Sequence, residues 1–276
     1  MMKNHNEDQR IALVSGASSG IGKATADLLA CNGFRVFGTS RYPDKCPPSS
    51  GVEILQLDIT DPSSIKQCVD GLLKRAKRVD VLINNAGKAL IGALEETSEQ
   101  ELQNQFNINF YGHTWLTKAV LPVMRQQHSG IIIAVSSLLG QVALPYMGAY
   151  SAAKFAIEGY FEALRRELDT SGSGVRVALI EPGFVRTNLA NNGEIVSSPI
   201  RSYDRYREQI IGSVKEHIAK ATPSEVVAQD ILKLVNNPNP RLRTPAGSDS
   251  KLVTGLKRIL PSYALDRIWK KEFGLF

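Results

Sequence analysis

The sequence predicts an α/β fold, a doubly wound parallel sheet of about seven strands with helices on both faces. Short runs rich in Ile, Leu and Val alternate with longer helical segments along most of the 276 residues. Strands separated by helices imply right-handed β-α-β units, and therefore a parallel sheet that is covered on both faces. Glycine-rich or polar stretches follow several strands, at the edge where such sheets bind ligands.

The individual elements follow from local patterns. The predicted strands are Arg10–Ser15, Phe34–Thr39, Val52–Leu57, Val79–Asn84, Gly130–Ser136, Val175–Glu181 and a last one near Arg243–Ala246. The predicted helices span residues 20–32, 62–77, 99–109, 111–127 and 150–168. Gly33 stands where a helix C-cap is expected, and Asp61-Pro62 is typical of a helix N-terminus.

Composition narrows the class of protein. Charged residues make up 22% and hydrophobic residues 43%, as in ordinary globular proteins. No apolar run approaches the roughly 20 residues that span a bilayer, and the polar N-terminus has no secretory signal pattern. The three cysteines form no CxxC pair and the histidines do not cluster, which argues against a disulfide framework and a metal site. We therefore expect a cytoplasmic protein.

The C-terminal segment carries most of the net charge. The chain has a formal charge of +6, and residues 251–276 hold six basic and two acidic residues, which gives +4 there. Because the rest is nearly neutral, a nucleic-acid partner is disfavoured. Pro261 should divide this basic amphipathic extension into two short helices. The extension could pack across a subunit interface, cover a pocket, or make peripheral contact with an anionic membrane.

A glycine-rich turn follows the first strand. Its sequence is Gly16-Ala17-Ser18-Ser19-Gly20-Ile21-Gly22. Glycines permit a tight turn and allow a pyrophosphate to approach backbone N–H groups at a helix N-terminus. The G-x-x-x-G-x-G spacing departs from the G-x-G-x-x-G dinucleotide pattern, so this turn alone would also fit a structural loop.

Further motifs follow the later strands in a fixed order. They are Asn84-Asn85-Ala86-Gly87, Ser137, Tyr150 with Lys154, and Pro182-Gly183. With the glycine turn, they resemble the short-chain dehydrogenase/reductase family over about residues 10–247. Ser15 stands where that family usually has Thr, and Asn109 matches its asparagine better than Asn107 by spacing before Gly112. The resemblance implies a Rossmann-type fold, a nicotinamide cofactor and the catalytic residues Asn109, Ser137, Tyr150 and Lys154.

The residues themselves support proton chemistry. Tyr150 and Lys154 are four residues apart in a helix, so they lie on one face. A phenol has a pKa near 10, and a nearby ammonium should lower the Tyr150 pKa, which suits a general acid or base. The Ser137 hydroxyl could hold the substrate oxygen as negative charge develops there. The resemblance further implies that Lys154 binds the nicotinamide ribose and that Asn109 supports a proton-relay water.

The end of the second strand indicates which nicotinamide cofactor binds. It reads Gly38-Thr39-Ser40-Arg41, without the acid that would bind the ribose of NAD, whereas an Arg accommodates the 2′-phosphate of NADP. We therefore favour NADP(H), with NAD(H) as the alternative. The predicted cofactor contacts are Gly16, Ser18, Ser19, Gly20, Ile21, Gly22, Ser40, Arg41, Asp58, Ile59, Asn85, Ala86, Gly87, Tyr150, Lys154, Pro182, Gly183, Val185 and Thr187.

The substrate side of the predicted site is largely apolar. Leu139, Leu144 and Phe184 are predicted to contact the substrate together with Ser137 and Tyr150, although such residues also form ordinary cores. They favour a hydrophobic carbonyl or alcohol, such as a steroid, retinoid or lipid. The resemblance is nearest to the steroid, retinol and acyl-dihydroxyacetone-phosphate reductase-like branch, and it implies a homodimer or homotetramer.

These observations predict an NADP(H)-dependent oxidoreductase that reduces a ketone or aldehyde or oxidises a secondary alcohol. Residues 1–250 would form one catalytic domain with a substrate loop at about 184–220, followed by the extension at 251–276. Two alternatives remain. One is a non-catalytic NADP(H)-sensing regulator, which usually loses the tyrosine or lysine; the other is an epimerase or dehydratase of the same superfamily, which usually carries a different glycine turn.

Overall fold

A seven-stranded parallel sheet forms the centre of the protein, as the sequence predicts. The computed structural model describes residues 9–47, 49–186 and 194–274. The strands are β1 (Ile11–Val14), β2 (Arg35–Ser40), β3 (Val52–Gln56), β4 (Val81–Asn84), β5 (Gly130–Val135), β6 (Val175–Pro182) and β7 (Arg243–Ala246). Their order across the sheet is β3-β2-β1-β4-β5-β6-β7, and every neighbouring pair is parallel.

The strand order reverses between β1 and β4, and this position fixes where a ligand can enter. Chain order runs outward through β2 and β3 on one side and through β5 to β7 on the other. In open α/β sheets the crevice at such a reversal, outside the carboxyl ends of the strands, is the ligand site. Every residue of β1 and β4 is buried, as expected of central strands covered on both faces.

The part of the chain that the structure describes contains nine helices, five of which pack on the two faces of the sheet. They are α1 (Gly20–Cys31), α2 (Pro62–Ala76), α3 (Glu99–Phe106), α4 (Gly112–Gln126), α5 (Gly148–Thr170), α6 (Asp204–Ala219), α7 (Ser224–Asn236), α8 (Ser248–Lys257) and α9 (Ser262–Glu272). One apolar core joins the sheet to α2, α4 and α5 through residues such as Leu72, Leu116 and Phe161. A second core, on the other face, includes Leu29 of α1 and Ile231 of α7.

A local sequence signal explains the start of α2, whereas the predicted break between α3 and α4 and the predicted start of α5 are wrong. The Asp61 carboxylate accepts a hydrogen bond from Ser63 N at 2.8 Å, so it caps α2 as predicted. The predicted break near residue 110 is absent, because a π-helical turn, Asn107–Tyr111, continues α3 into α4. Helix α5 begins at Gly148, two residues before the predicted Tyr150, which places that tyrosine in the first turn.

The C-terminal extension folds into two helices. Pro261 precedes α9 and separates it from α8, in agreement with the predicted division. Phe273, just after α9, is only 1% exposed, so the extension packs against the rest of the chain. Among the described residues, no helix combines the length and apolar character that a membrane crossing requires.

Candidate active site

One cleft runs along the carboxyl ends of the strands and collects most of the predicted site residues. Its volume is about 570 Å³. Residues of the glycine turn, the ends of β2 and β4, Ser137, Tyr150 and Pro182-Gly183 all line it. Residues far apart in the chain therefore meet in one place, because each follows a strand whose carboxyl end faces the same edge.

The glycine turn forms a tight cradle at the start of α1. Gly16 and Gly20 have positive φ angles of 66° and 55°, which L side chains rarely adopt. A Cβ on Gly22 would lie 2.2 Å from Gly16 O, so only glycine lets the helix begin this close to the turn. Ser19 precedes α1 but its side chain does not cap the helix, which leaves the first-turn N–H groups free to bind an anion.

The segment after β4 is tied to this turn by hydrogen bonds. Ser15 Oγ accepts hydrogen bonds from Asn85 N at 2.8 Å and Ala86 N at 3.0 Å. In return, Asn85 Nδ2 donates to Ser15 O at 2.9 Å. A hydroxyl is the feature needed here, which explains why serine can replace the usual threonine.

The end of β2 contributes polar groups to the cleft. Ser40 and Arg41 line it, and the Arg41 side chain is exposed, with its guanidinium 5.8 Å from the centre of the Tyr42 ring. Asp58 also lines the cleft, and its carboxylate accepts hydrogen bonds from Thr60 N at 2.9 Å and Thr60 Oγ1 at 2.6 Å. This end therefore offers a cation and hydroxyl groups to an anionic ligand.

Ser137, Tyr150 and Lys154 lie together in the middle of the cleft. Tyr150 is 7% exposed and Lys154 is 3% exposed. Lys154 Nζ donates a hydrogen bond to Val135 O at 2.8 Å and lies 5.7 Å from the centre of the Tyr150 ring. Ser137 Oγ accepts a hydrogen bond from Leu139 N at 3.1 Å, which fixes the hydroxyl at the end of β5.

The electrostatics of Tyr150 differ from the prediction. Burial raises the pKa of Tyr150 to about 12, and a hydrogen bond with Ser137 opposes this rise only in part. Burial also lowers the pKa of Lys154 to about 8. The predicted lowering of the Tyr150 pKa is wrong, because burial disfavours the phenolate more than the Lys154 ammonium favours it. The phenol is therefore protonated at neutral pH and can act as a proton donor.

Asn109 lies in the π-helical turn and is fully buried at the side of the cleft. Its Nδ2 donates to Lys88 O at 2.8 Å, and its Oδ1 accepts from Lys88 N at 3.2 Å. A Cβ on Gly87 would lie 2.8 Å from Asn109 Oδ1 and 4.0 Å from Lys154 Nζ, so both groups border the space beside this glycine. Asn107, the competing candidate, does not line the cleft and instead accepts a hydrogen bond from Gln103.

Two predicted cofactor contacts stand apart from the others. Gly22 is buried beneath the turn and does not line the cleft. Thr187 lies outside the described residues. The remaining predicted cofactor contacts line the cleft, and so do all five residues predicted to contact the substrate.

The sequence did not predict the aromatic wall at the far end of the cleft. Val214 and Ile218 of α6 and Trp269 and Phe273 of the extension line it. The Phe273 ring stacks on Trp269 with centroids 5.4 Å apart. Since Trp269 and Phe273 are four residues apart, their helical spacing was the available signal, but it did not reveal which face turns inward.

Hydrogen bonds hold this wall against the rest of the protein. Phe184 N donates to the Asp249 carboxylate at 2.6 Å, which ties the segment after β6 to α8. His217 Nε2 lies 3.1 Å from Glu272 Oε1, which ties α6 to α9. The extension therefore covers one end of the cleft, the pocket-covering arrangement among the three alternatives stated above.

Comparisons with known proteins show what this chain resembles in sequence and in fold. The short chain dehydrogenase family matches residues 10–194. The 3-ketodihydrosphingosine reductase of Bacteroides thetaiotaomicron is 40% identical over 242 residues, which is 86% of this chain and 88% of the relative. A short-chain dehydrogenase from Streptomyces avermitilis has a TM-score of 0.80 at 34% identity and covers 96% of this chain and 97% of its own. ElxO with NADP bound has a TM-score of 0.71 at 26% identity, covering 86% and 97%.

Proposed function

The chain belongs to the short-chain dehydrogenase family, and we propose that it is an NADP(H)-dependent oxidoreductase that interconverts a carbonyl and an alcohol. The main support is that Ser137, Tyr150 and Lys154 line the same cleft as the glycine turn. A non-catalytic nucleotide sensor would not need a buried phenol and ammonium at the centre of the cleft. We propose that residues 1–250 form one domain that holds the cofactor and the catalytic residues, and that the extension at 251–276 adds Trp269 and Phe273 to the substrate end of the cleft.

The residues present fit a dinucleotide. The glycine cradle and the uncapped N-terminus of α1 suit a pyrophosphate, while Asp58, Ile59 and Asn85 line the adjacent wall. When bound, a nicotinamide supplies the hydride. Lys154 would hold the nicotinamide ribose and Tyr150 the substrate oxygen, and Pro182-Gly183 lines the same cleft.

The chain's own residues handle the proton. Tyr150 donates its hydroxyl proton to the substrate oxygen, and Ser137 donates a hydrogen bond to that oxygen as negative charge develops on it. Lys154 stabilises the phenolate that remains, and Asn109 supports the relay water through which the phenolate regains a proton. Because the pKa of Tyr150 is raised to about 12, its protonated form, which is the proton donor that carbonyl reduction needs, dominates at neutral pH.

Removal of the Tyr150 hydroxyl tests this assignment. Tyr150→Phe should lower kcat by roughly 10²- to 10⁴-fold, since it removes the general acid without removing the ring. Tyr146→Phe is the matched control, because Tyr146 precedes the same helix but does not line the cleft. Activity is measured as NADPH oxidation with a panel of ketones at constant NADPH. Full activity in Tyr150→Phe would refute the mechanism.

Arg41 supports the choice of NADP(H) over NAD(H). It is an exposed cation at the tip of β2, beside Ser40 and without a carboxylate at the strand end. Arg41→Ala should weaken NADPH binding about 10- to 100-fold and leave NADH binding unchanged, since an Arg–phosphate pair is worth about 1.5–3 kcal/mol. Fluorescence titration with both cofactors measures this. A variant that keeps its preference for NADPH would refute the cofactor assignment.

We propose a hydrophobic, lipid-like carbonyl compound as the substrate. The cleft wall beyond Ser137 is built from Leu139, Leu144, Phe184, Trp269 and Phe273, and apolar walls of this kind favour apolar ligands. The relative from Bacteroides thetaiotaomicron is a reductase of 3-ketodihydrosphingosine, a lipid. A series of ketones of increasing chain length, including that compound, tests the proposal; kcat/KM should rise with chain length. A preference for short polar ketones would contradict it.

We also propose peripheral membrane contact through the outer surface of the extension. Leu252, Ile259 and Tyr263 are 63%, 81% and 69% exposed and lie among the six basic residues of this segment. Apolar side chains framed by cations suit an anionic bilayer. The protein should sediment with phosphatidylglycerol vesicles but not with phosphatidylcholine vesicles, and Ile259→Glu should abolish sedimentation. Failure to sediment with phosphatidylglycerol vesicles would refute the contact, and equal sedimentation with both vesicles would refute its dependence on anionic lipid. Light scattering separately tests the expected homo-oligomer.

A further inference from the structure

A buried cluster of charges lies behind the catalytic lysine and has no part in the mechanism above. Glu158 follows Lys154 by one turn of α5, Glu181 lies near the end of β6, and Arg243 begins β7. Arg243 Nε donates to Glu158 Oε2 at 2.7 Å, and its Nη2 donates to Glu162 Oε2 at 2.6 Å. Glu158 is 5% exposed and Glu181 is 2% exposed.

This cluster holds more acids than bases. The carboxyls of Glu158, Glu162 and Glu181 face one guanidinium, with Glu181 Oε1 3.6 Å from Arg243 Nε. Burial, followed by the negative charge of Glu158, raises the pKa of Glu181 to about 7, although Gln141, Arg243 and Arg258, which directly follows α8, oppose this. Like charges in a buried site separate into one protonated and one ionised group. Burial also raises the pKa of Glu158, but its hydrogen bond and charge interaction with Arg243 oppose that rise. Glu181, at the longer distance from Arg243, therefore keeps its proton up to about pH 7, while Glu158 keeps the shorter bond to Arg243 and the negative charge.

The charge of Glu158 acts on Lys154. Both lie on one face of α5, and Glu158 favours the ammonium form that burial disfavours. The two groups do not form a direct ion pair, because Lys154 Nζ is directed to Val135 O in the cleft. His113 of α4 also faces Lys154, but burial lowers its pKa to about 3, so it is neutral. Tyr150, the other titratable neighbour, is neutral as well.

The loop after β5 packs directly over this arrangement. A Cβ on Gly140 would lie 2.7 Å from Ser136 Oγ and 3.1 Å from Glu158 Cγ, so the absence of a side chain lets the loop exclude water from the cluster. Gln141 Nε2 donates to Glu181 Oε1 at 2.9 Å from the same loop. Water exclusion strengthens the interaction between charges that do not touch.

We propose that Glu158 is a positioning residue that keeps Lys154 cationic, and that Arg243 and Glu181 in turn hold Glu158 ionised. This inference deepens the proposed function, since it assigns control of the proton chemistry to groups outside the cleft. Glu158 acts through Lys154 and touches neither cofactor nor substrate.

Glu158→Gln and Glu162→Gln form a matched pair for the test. Both residues bind Arg243 from the same helix, but only Glu158 is one turn from Lys154. The ¹³Cε shift of Lys154, in protein labelled with [6-¹³C]lysine, reports its charge without substrate or cofactor; Lys154→Met assigns the signal. We expect wild-type titration near pH 8, a midpoint lower by about one pH unit in Glu158→Gln, and no change in Glu162→Gln. An unchanged midpoint in Glu158→Gln, or an equal shift in both, overturns the proposal.

A second variant and a second measurement separate this inference from the proposed function. Glu158→Asp keeps the charge and should restore the wild-type midpoint; if it titrates like Glu158→Gln, the effect is structural and the proposal fails. With an active ketone, the alkaline limb of kcat/KM should move with the lysine midpoint in each variant. If the midpoint moves and the alkaline limb does not, the inference about Glu158 holds and the assigned role of Lys154 in catalysis fails.

Discussion

The two ends of the cleft are built in different ways. The end at β1, β2 and β4 consists mainly of backbone and small residues, such as Gly16, Ser18 and Ala86, from neighbouring strands. The opposite end consists of large apolar side chains from α6, the loop after β5 and the C-terminal extension. At the first end, backbone atoms of neighbouring segments pack so closely that an added atom would clash. At the second end, the cleft is lined by large side chains that can be substituted by others. We therefore expect the first end to be intolerant of added atoms and the second to be adaptable.

Gly22→Ala should break the cradle and have the largest effect. Its Cβ would lie 2.2 Å from Gly16 O and 2.4 Å from Asn85 Nδ2. The turn must then shift, which we expect to cost about 3 kcal/mol of unfolding free energy and roughly 100-fold in NADPH affinity. Urea unfolding and cofactor fluorescence measure the two quantities.

Gly71→Ala is the control for that prediction. Gly71 lies inside α2, where an added Cβ meets no atom within 4 Å and φ is not positive. Alanine should stabilise the helix there by about 0.5–1 kcal/mol and leave cofactor binding unchanged. If both variants behave alike, the close approach at Gly22 does not constrain the turn.

The same contrast explains what the sequence could predict. The cradle depends on local backbone conformation, so Gly16, Gly20 and the segment after β4 were recognisable from residue type and spacing. The wall depends on which helix face turns inward, so Trp269 and Phe273 were recognised only as part of an amphipathic extension. The direction in which the Tyr150 pKa shifts was mispredicted for a similar reason. The spacing in the sequence shows that Tyr150 lies near Lys154, but it does not show how deeply the phenol is buried.

Trp269→Ala should alter the wall and leave the cradle intact. Removal of the indole opens the apolar end of the cleft and exposes Phe273, against which it stacks. We expect KM for a long apolar ketone to rise about 30-fold, as burial of a large apolar side chain is worth about 2 kcal/mol, with NADPH affinity unchanged. Trp115→Ala is the matched control, because the other tryptophan stacks on Tyr111 of the π-helical turn and does not line the cleft. Equal effects on KM would mean that the extension does not contact substrate.

Glu181→Gln tests the contacts that join the two ends of the cleft, and we expect its effect to be the smallest of these substitutions. Glu181 precedes Pro182-Gly183; its side chain binds Gln141 of the loop and its carbonyl accepts from Ser250 of α8 at 2.7 Å. Its pKa is raised from 4.5 to about 7 in the folded protein. Between these values the folded state holds a proton that the unfolded state has released, so stability from this group falls as pH rises from about 4.5 to 7 and is constant above.

The glutamine resembles the protonated form, so Glu181→Gln should remove this loss. We expect it to be more stable than wild type by on the order of 1 kcal/mol at pH 8, because the glutamine needs no proton to stay neutral in this buried position. Near pH 4.5 the two proteins should be equally stable. Glu162→Gln is the control, because Arg243 lowers the pKa of Glu162 and its pH window lies below 4.5. Thermal unfolding from pH 5 to 8 measures both variants. A constant difference for Glu181→Gln over that range would show that Glu181 is already ionised, in which case the two ends of the cleft are joined by a buried ion pair and not by a shared proton.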